Sequence, residues 1–242
     1  MSRLPNTDLR EDGGRAGELS ARPDALMFDL DGVLADVSGS YRRTILEVCR
    51  QYGVEIHPSQ VSSAKAAGGA NDDWELTRRL LSDQGVEAEL DDVRRRFNSL
   101  YWGTTAHPGL RSSERLLADR SLLEGLAAAL RLAVVTGRPR REAETFLESV
   151  GVAHLFAVLV AREDAPPKPD PAPVRLASTR LRARRAWLFG DTPDDMRAAV
   201  GAGVVPIGVV APDDSHQLAA TALRRAGAVT VLGSVNEIRG ML

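Results

Sequence analysis

The amino-acid sequence predicts an α/β protein in which a doubly wound parallel sheet carries an inserted helical domain. Three observations predict this class. Short apolar runs alternate with helical patterns from residue 132 onward, as in parallel strands joined by helices. One further apolar run, residues 25–28, lies far upstream of the others. Between these parts, residues 58–107 show helical patterns and no convincing strand, which indicates an insertion.

Composition and charge bound the possible functions. The chain has 242 residues and a formal net charge of −2, so we expect no broad basic surface for nucleic acid. No apolar run reaches membrane-spanning length, and residues 1–24 lack the apolar core of a signal peptide. We therefore expect a cytoplasmic protein with no nucleic-acid or membrane partner and with a disordered N-terminal extension over residues 1–24. Whether it is a monomer or a homodimer is left open.

Two residue types are rare in this chain. Cys49 is the only cysteine, which excludes an intramolecular disulfide, and its helical surroundings favour a buried apolar role. Of the 31 basic residues, only Lys65 and Lys168 are lysines. Where a chain so strongly favours arginine, a lysine can mark a position that needs a compact ammonium group.

The helical patterns predict a small helical insertion. Ser38 or Ser40 is expected to cap its first helix, which ends at Gly53. Pro58 and several glycines then separate further helices. The predicted limits of the inserted domain are residues 38–106, with helices near residues 60–67, 74–84 and 90–102. Residues 25–37 and 107–242 are predicted to form the core.

The core alternates strands and helices. Pro139 suits the first turn of a helix that follows the second strand, and a proline-rich loop follows the third. The predicted strands are residues 25–28, 132–135, 156–160, 186–189, 204–210 and 228–232. Four helices are predicted: one over residues 139–150, one that ends at about residue 181, one that ends at about residues 201–203, and one over residues 217–225.

Two aspartates end the first strand. Asp29 and Asp31 are two residues apart, so in an extended backbone their carboxylates face one spot, and Gly32 then permits a turn. Two like charges held this close are unfavourable unless a cation lies between them or one carries a proton. Open α/β sheets place their chemistry at such carboxyl ends of strands.

The ends of the next strands carry complementary groups. Thr136 and Gly137 follow the second strand, Lys168 lies in the loop after the third, and Asp191 and Asp195 follow the fourth. Because parallel strands end at one edge of the sheet, these residues and the first two aspartates can converge. Several carboxylates suit Mg²⁺, while a hydroxyl, the amides of residues 137 and 138 and an ammonium group suit an anion. A cation, anion donors and a carboxylate together describe phosphoryl transfer.

Each residue also has a purely structural interpretation. Thr136 could cap the helix that begins at Pro139. Asp194 and Asp195 lie in the first turn of a helix, where the helix dipole favours acids, and for Asp194 this interpretation is preferred. Lys168 could be a solvated residue of a polyproline-like loop. What these interpretations do not explain is the joint arrangement on four consecutive strand ends.

Four motifs together resemble those of the haloacid dehalogenase superfamily. The resemblance covers the chain from about residue 25 to the end, and the helical insertion is similar to the C1-type cap of the phosphoglycolate phosphatase branch, subfamily IA. The motifs are Asp-Leu-Asp-Gly-Val at residues 29–33, Val-Thr-Gly-Arg at residues 135–138, Lys-Pro-Asp-Pro at residues 168–171 and Gly-Asp-Thr-Pro-Asp-Asp at residues 190–195.

The resemblance implies a Rossmann-like core and specific roles. Asp29 would attack phosphorus and form an aspartyl-phosphate, and Asp31 would act first as general acid and then as general base. The resemblance also implies that Mg²⁺ is held by Asp29, the backbone carbonyl of Asp31, Asp191 and Asp195, the last directly or through water, with Asp194 as the alternative outer ligand. Thr136, the Gly137 amide and Lys168 would hold the phosphoryl oxygens.

The resemblance also narrows the reaction. The acid at Asp31 argues for phosphate esters, because the dehalogenase and phosphonate branches lack it. We expect a Mg²⁺-dependent phosphatase, a phosphoric monoester hydrolase, acting on a phosphosugar, an amino-sugar phosphate or an amino-alcohol phosphate. A phosphomutase on the same core and a catalytically silent effector-binding module are the alternatives.

The cap segment of residues 65–74 is the candidate specificity loop. Asn71 and nearby acids could bind hydroxyl or amine groups, and Trp74 could cover a ring. A helix cap formed by Asp72 or Asp73 explains the same residues equally well. Lys65 could be a substrate-anion contact or a surface residue.

Overall fold

The computed structural model describes residues 22–70 and 72–242. The expected disordered extension therefore lies outside the described residues up to residue 21, as does the predicted ligand contact of Asn71. At the end of the extension, the Asp24 amide donates a hydrogen bond to the Arg185 carbonyl at 2.9 Å, so this residue is held against the core.

A six-stranded, fully parallel sheet forms the centre of the molecule. Its order is β5-β4-β1-β6-β7-β8. Helices connect successive strands, so the predicted fold class, a doubly wound α/β sheet with a Rossmann-like core, is confirmed. The sheet strands are β1 (Ala25–Phe28), β4 (Arg131–Val135), β5 (Val158–Val160), β6 (Ala186–Gly190), β7 (Val205–Val209) and β8 (Thr230–Leu232).

The first strand is the most buried part of the sheet. All four of its residues are fully buried, which fits an apolar run covered on both faces. Phe28 pairs in register with Val134 of β4 and with Phe189 of β6. The residues that follow these three positions therefore leave the sheet side by side, which positions the candidate site.

Helices surround the sheet and form the insertion. Four of them follow the first strand, and five lie between or beside the later strands. They are α1 (Arg43–Gln51), α2 (Pro58–Ala67), α3 (Asp73–Ser82), α4 (Leu90–Trp102), α5 (Arg120–Ala129), α6 (Arg140–Ser149), α7 (Ala172–Leu181), α8 (Pro193–Ala202) and α9 (His216–Arg225). None of these helices of the described chain is long and apolar enough to cross a membrane.

The entry into the insertion differs from the prediction. A π-helical turn, Ser38–Arg42, precedes α1, and its N-cap is Val37, which makes no side-chain cap bond. The Ser38 hydroxyl instead donates to Asp36 Oδ1 at 2.5 Å, and the Ser40 hydroxyl donates to Glu114 at 2.8 Å. The predicted serine cap was therefore wrong, because the Ser38 hydroxyl forms a local bond to Asp36 and the Ser40 hydroxyl bonds to the distant Glu114.

A small antiparallel pair joins the two connections of the insertion. Strand β2 (Ala35–Asp36) pairs with β3 (Arg115–Leu116), and the four helices α1 to α4 lie between them along the chain. One apolar cluster then runs from the sheet into the insertion and includes Phe28, Ile45 and Phe97. The limits of cap and core, residues 38–106 against 25–37 and 107–242, stay a prediction.

Candidate active site

Three carboxylates meet at the carboxyl edge of the sheet. Asp29 follows β1, Asp191 follows the adjacent β6, and Asp195 lies in the first turn of α8. One carboxylate oxygen from each lies within 4.8 Å of the others. Asp29 and Asp195 are buried, and Asp195 has no exposed surface. The predicted convergence of these residues is therefore present in the structure.

Lys168 lies among these carboxylates. Its Nζ donates to Asp29 Oδ1 at 2.7 Å and to the Val135 carbonyl at 3.1 Å, and it also forms an ion pair with Asp195. The residue is only 5% exposed, so the alternative of a solvated loop lysine was wrong. Burial alone would lower the pKa of Lys168, but Asp195 and Asp29 outweigh it and raise this pKa, which keeps the ammonium group charged.

The acids are held in an unfavourable electrostatic environment. Burial raises the pKa of Asp29 to about 7; the Lys168 charge opposes this rise, and the charges of Asp195 and Asp31 add to it. Burial also raises the pKa of Asp191 well above its usual value, with Asp29 and Asp195 contributing. The cluster contains three carboxylates, and Lys168 pairs with two of them, Asp29 and Asp195. Its ligand atoms are all oxygens, which is the donor set that a hard divalent cation requires.

Asp194 and Asp195 are adjacent in sequence but face different parts of the molecule. Asp195 Oδ2 accepts hydrogen bonds from the Thr192 amide at 3.0 Å and the Thr192 hydroxyl at 2.6 Å, while Oδ1 faces Lys168. Asp194 accepts from the Gly69 amide at 2.7 Å and from Arg197 at 3.0 Å. Asp195 therefore belongs to the carboxylate cluster, and Asp194 contacts the inserted helices.

Gly32 explains how the first motif approaches the fourth. Its φ is +75°, and a Cβ built on it would lie 2.3 Å from Asp191 Oδ2. Any side chain at this position would therefore both strain the backbone and displace the Asp191 carboxylate. The glycine of the first motif is needed for close approach as well as for the turn.

The second motif lines the same edge. Thr136 is buried, and its hydroxyl oxygen accepts a hydrogen bond from the Arg138 amide at 3.1 Å. Thr136, Gly137 and Lys168 together line a cavity of about 140 Å³. The Arg138 amide is used within the loop itself, and its contact with an anion stays a prediction.

The Arg138 side chain is the functional candidate that the sequence reasoning missed. Its guanidinium, 1% exposed, places Nε 2.6 Å and Nη2 2.5 Å from Asp31 Oδ1. Nη1 lies 2.9 Å from Glu114 and 3.2 Å from the Tyr101 hydroxyl. The guanidinium also packs over the Tyr41 ring at 4.6 Å. Arg138 ends the second motif, which sets it apart from the other arginines, but the motif gave no role to its side chain because the partners come from four distant segments.

The specificity-loop candidates lie against the core. Asp72 accepts hydrogen bonds from the Trp74 amide at 3.0 Å and the Glu75 amide at 3.3 Å, so it caps α3 as the helix-cap interpretation expected. It also forms an ion pair with Arg162 of the core. The Trp74 ring lies 4.5 Å from the Arg162 guanidinium and therefore packs at the boundary between insertion and core.

Lys65 is not a surface residue. It is 9% exposed, and its Nζ lies 3.2 Å from Asp73 Oδ1. Burial alone would lower the pKa of Lys65, but the Asp73 carboxylate more than compensates and raises it, while the Arg42 charge opposes the rise. Both lysines of the chain therefore lie in buried ion pairs near the strand ends.

A small cavity separates the insertion from the core. Its volume is about 20 Å³, and Asp31, Tyr41, Asp73, Trp74 and Arg138 are among its lining residues. Asp31 contributes a side chain that is 20% exposed. The candidate acid–base group thus faces the inserted helices across a narrow gap.

Comparisons with known proteins agree with this geometry. The sequence model of the haloacid dehalogenase-like hydrolases matches residues 26–209. The chain is 30% identical over 188 residues to a phosphoglycolate phosphatase of Yersinia pseudotuberculosis, covering 75% of this chain and 78% of that protein. It is 42% identical over 196 residues to an imidazoleglycerol-phosphate dehydratase of Phytophthora nicotianae, covering 78% of this chain but only 43% of that protein.

Solved structures show the same fold. A proposed phosphoglycolate phosphatase from Lactobacillus plantarum superposes with a TM-score of 0.72 at 24% identity, covering 92% of this chain and all of that one (100%). A proposed β-phosphoglucomutase from Thermotoga maritima has a TM-score of 0.63 at 23% identity and covers 90% and 97%. Together with the family match, these results confirm the resemblance that the four motifs predicted and the expectation of an enzyme. The chain belongs to the haloacid dehalogenase-like hydrolase family, in its phosphoglycolate phosphatase-like branch.

Proposed function

We propose that this protein is a Mg²⁺-dependent phosphatase that hydrolyses a small phosphorylated metabolite through an aspartyl-phosphate on Asp29. The observation that carries the proposal is the cluster in which Asp29, Asp191 and Asp195 converge, with the Lys168 ammonium group paired to Asp29 and Asp195 beside the second motif. Phosphoryl transfer depends mainly on positioning and on electrostatic stabilisation, and such a cluster can supply both.

Asp29 is the proposed nucleophile. Its carboxylate oxygen forms a bond to phosphorus as the ester P–O bond breaks, and Asp31 gives its proton to the departing alcohol oxygen. In the second half of the reaction Asp31 takes a proton from a water molecule, which attacks phosphorus and releases inorganic phosphate from Asp29. General acid–base catalysis of this kind contributes about 10²- to 10⁴-fold.

Lys168, Thr136 and the Gly137 amide are the proposed ligands of the transferring phosphoryl group. They line one cavity at the edge of the sheet, so their donors can reach one anion. Lys168 has a second effect, because its 2.7 Å contact fixes the Asp29 carboxylate relative to the second motif.

The carboxylate cluster fits a magnesium ion. Burial and mutual repulsion raise the pKa values of Asp29 and Asp191, so an added cation would stabilise their ionised forms. Asp29, Asp191, Asp195 and the Asp31 backbone carbonyl are the proposed ligands. When bound, Mg²⁺ would supply positive charge that shields the phosphoryl oxygens from the attacking carboxylate.

Hydrolysis of p-nitrophenyl phosphate tests the proposal. We expect Mg²⁺-dependent release of phosphate that stops in the presence of a chelator and resumes when Mg²⁺ is added in excess. An Asp29→Asn variant should lose at least about 10³-fold in kcat, because a covalent step without its nucleophile has only the background route. Asp83→Asn, at an exposed position beyond α3, is the matched control and should keep full activity. Unchanged turnover in Asp29→Asn or in chelator would disprove the proposal.

The substrate class is narrowed by the relatives' chemistry. The names of the two relatives refer to phosphoglycolate and imidazoleglycerol phosphate, both of which are small phosphate monoesters. We propose a phosphosugar, an amino-sugar phosphate or an amino-alcohol phosphate, including one with an imidazole ring. A screen of such compounds for phosphate release tests this assignment. Formation of an isomeric phosphate without release of inorganic phosphate would establish a phosphomutase instead.

A further inference from the structure

Asp73 is a buried carboxylate that faces the boundary between insertion and core. Its side chain is 10% exposed, and its Oδ1 lies 3.2 Å from Lys65 Nζ. A carboxylate oxygen has two acceptor sites, and the contact with Lys65 occupies one of them. The Asp73 carboxylate can therefore accept a further hydrogen bond from a ligand.

The position of Asp73 relates it to the departing part of the substrate. Asp73 and Asp31 line the same small cavity between insertion and core. In the proposed reaction Asp31 protonates the leaving oxygen, so the atoms beyond that oxygen extend toward the inserted helices. The leaving group therefore has to contact the residues that face Asp31 across this gap.

The charges around the gap favour a nitrogen donor over an anion. Each arginine there already has a carboxylate partner: Arg138 pairs with Asp31, and Arg162 pairs with Asp72. An anionic leaving group would have to displace a carboxylate from one of these ion pairs, which is unfavourable above all for Arg138, whose side chain is 1% exposed. Asp73 Oδ1, in contrast, has acceptor capacity that its lysine partner does not use.

We propose that Asp73 is a specificity residue that binds an N–H group of the leaving alcohol, from an amine or an imidazole, and that Lys65 positions the Asp73 carboxylate. This inference rests on the proposed phosphatase function and adds the chemistry of the leaving group. The rings of Tyr41 and Trp74 line the same cavity and would contact the carbon skeleton of that group.

Matched substrates test the inference in the wild-type enzyme. Glucosamine 6-phosphate and glucose 6-phosphate differ only in an amine and a hydroxyl, and ethanolamine phosphate and ethylene glycol phosphate form a second pair. We expect kcat/KM to favour an amino member by about 10-fold or more, as a charge-assisted hydrogen bond implies. Equal or reversed preference in both pairs would overturn the inference.

Substitution of Asp73 separates recognition from folding. In Asp73→Asn we expect the ratio of the two kcat/KM values to fall by about 10- to 100-fold, because the charge-assisted contact is lost. Damage to the fold alone would lower both values together and leave their ratio unchanged, and that result counts against the proposal. Glu75→Gln, a half-exposed acid on the same helix that pairs with Arg78, is the matched control and should keep the wild-type ratio.

A binding measurement separates this proposal from the phosphatase assignment. In the Asp29→Asn background, calorimetry should show tighter binding of glucosamine 6-phosphate than of glucose 6-phosphate, and addition of Asp73→Asn should abolish the difference. This preference would support the role of Asp73 even if no phosphate ester were hydrolysed, in which case only the proposed function fails. Hydrolysis of p-nitrophenyl phosphate without any preference for nitrogen-bearing ligands would leave the phosphatase intact and overturn the inference. A preference for phosphoglycolate that Lys65→Met removes would likewise overturn it and assign the contact to an anion.

Discussion

Arg138 and Asp31 form a buried ion pair at the boundary between the sheet and the inserted helices. The guanidinium Nε lies 2.6 Å from Asp31 Oδ1, and its Nη1 lies 2.9 Å from Glu114, which immediately precedes β3 on the return connection of the insertion. The same side chain also reaches the Tyr101 hydroxyl on α4. Arg138 therefore links the proposed acid–base residue to the elements that carry the inserted helices.

Replacement of Arg138 should impair the proton-transfer step more than the attack on phosphorus. In Arg138→Lys the charge remains but the two-point contact with Asp31 is lost, so the carboxylate is held less accurately. We expect kcat/KM for an alkyl phosphate to fall by about 10-fold or more, within the range of acid–base catalysis. The fall for p-nitrophenyl phosphate should be several-fold smaller, because that leaving group departs without a proton.

The ratio of these two kcat/KM values is the informative measurement. A defect in folding or in phosphate binding lowers kcat/KM for both substrates equally, and that result would contradict the positioning role of Arg138. Arg141→Lys, on α6, is a matched control, since the Arg141 guanidinium lies 4.5 Å from the Trp102 ring and has no proposed contact with Asp31. It should leave the ratio at the wild-type value.

Much of the fold follows from local patterns in the sequence. The apolar runs of the six sheet strands are visible without the structure, because parallel strands covered on both faces must be apolar throughout. The convergence of Asp29, Lys168 and Asp191 also follows, since parallel strands end at one edge. Helix α5, in contrast, was not predicted, and Gly125 in its middle weakens the helical pattern of its leucines.

The parts of the site that the sequence did not predict depend on long-range packing. Arg138 is buried only because Asp31, Tyr41, Tyr101 and Glu114 come together around it, and no short motif encodes that arrangement. The two serines at the start of the insertion likewise bond to distant or unexpected partners instead of capping a helix. Residue type and spacing predict strand ends well, but they do not predict which charged side chains become buried between two parts of the chain.

Removal of the Lys168 charge should destabilise the metal-free protein. In Lys168→Met the carboxylates of Asp29 and Asp195 lose their buried cation, and breaking a buried pair by removing one partner costs about 3–5 kcal/mol. Urea unfolding measures the change in the free energy of unfolding. A second substitution, Asp195→Asn, should recover part of the loss, since it removes one of the uncompensated charges. Arg95→Met, at an exposed ion pair, is the control and should change stability by less than about 1 kcal/mol.

Addition of Mg²⁺ should stabilise the folded protein through the same cluster. At a concentration ten times its dissociation constant, a ligand that binds only the native state adds about 1.4 kcal/mol, which corresponds to about 3–6 °C in melting temperature for a chain of this size. Thermal unfolding with and without Mg²⁺ measures this shift. Asp191→Asn should abolish it, because Asp191 is a proposed ligand, whereas Asp83→Asn should not. An equal shift in Asp191→Asn and the wild type would place the bound ion elsewhere.

Cys49 should be unreactive in the native protein. The side chain on α1 is completely buried, and burial raises the pKa of its thiol to about 11. The folded state thus favours the neutral thiol. The stability that the neutral thiol gives the folded protein is fully present below the unfolded pKa of about 8.5, and it is lost as the pH rises from there toward 11. At pH 8 a thiol reagent should label the native protein only as fast as the structure around Cys49 opens. Because the chain contains a single cysteine, one thiol per chain should react at once after unfolding in urea. A Cys49→Ala variant should lose less stability than the wild type between pH 8.5 and 11, since it has no thiol to ionise. Rapid labelling of the native wild-type protein would show that α1 does not pack against the core as the structure describes.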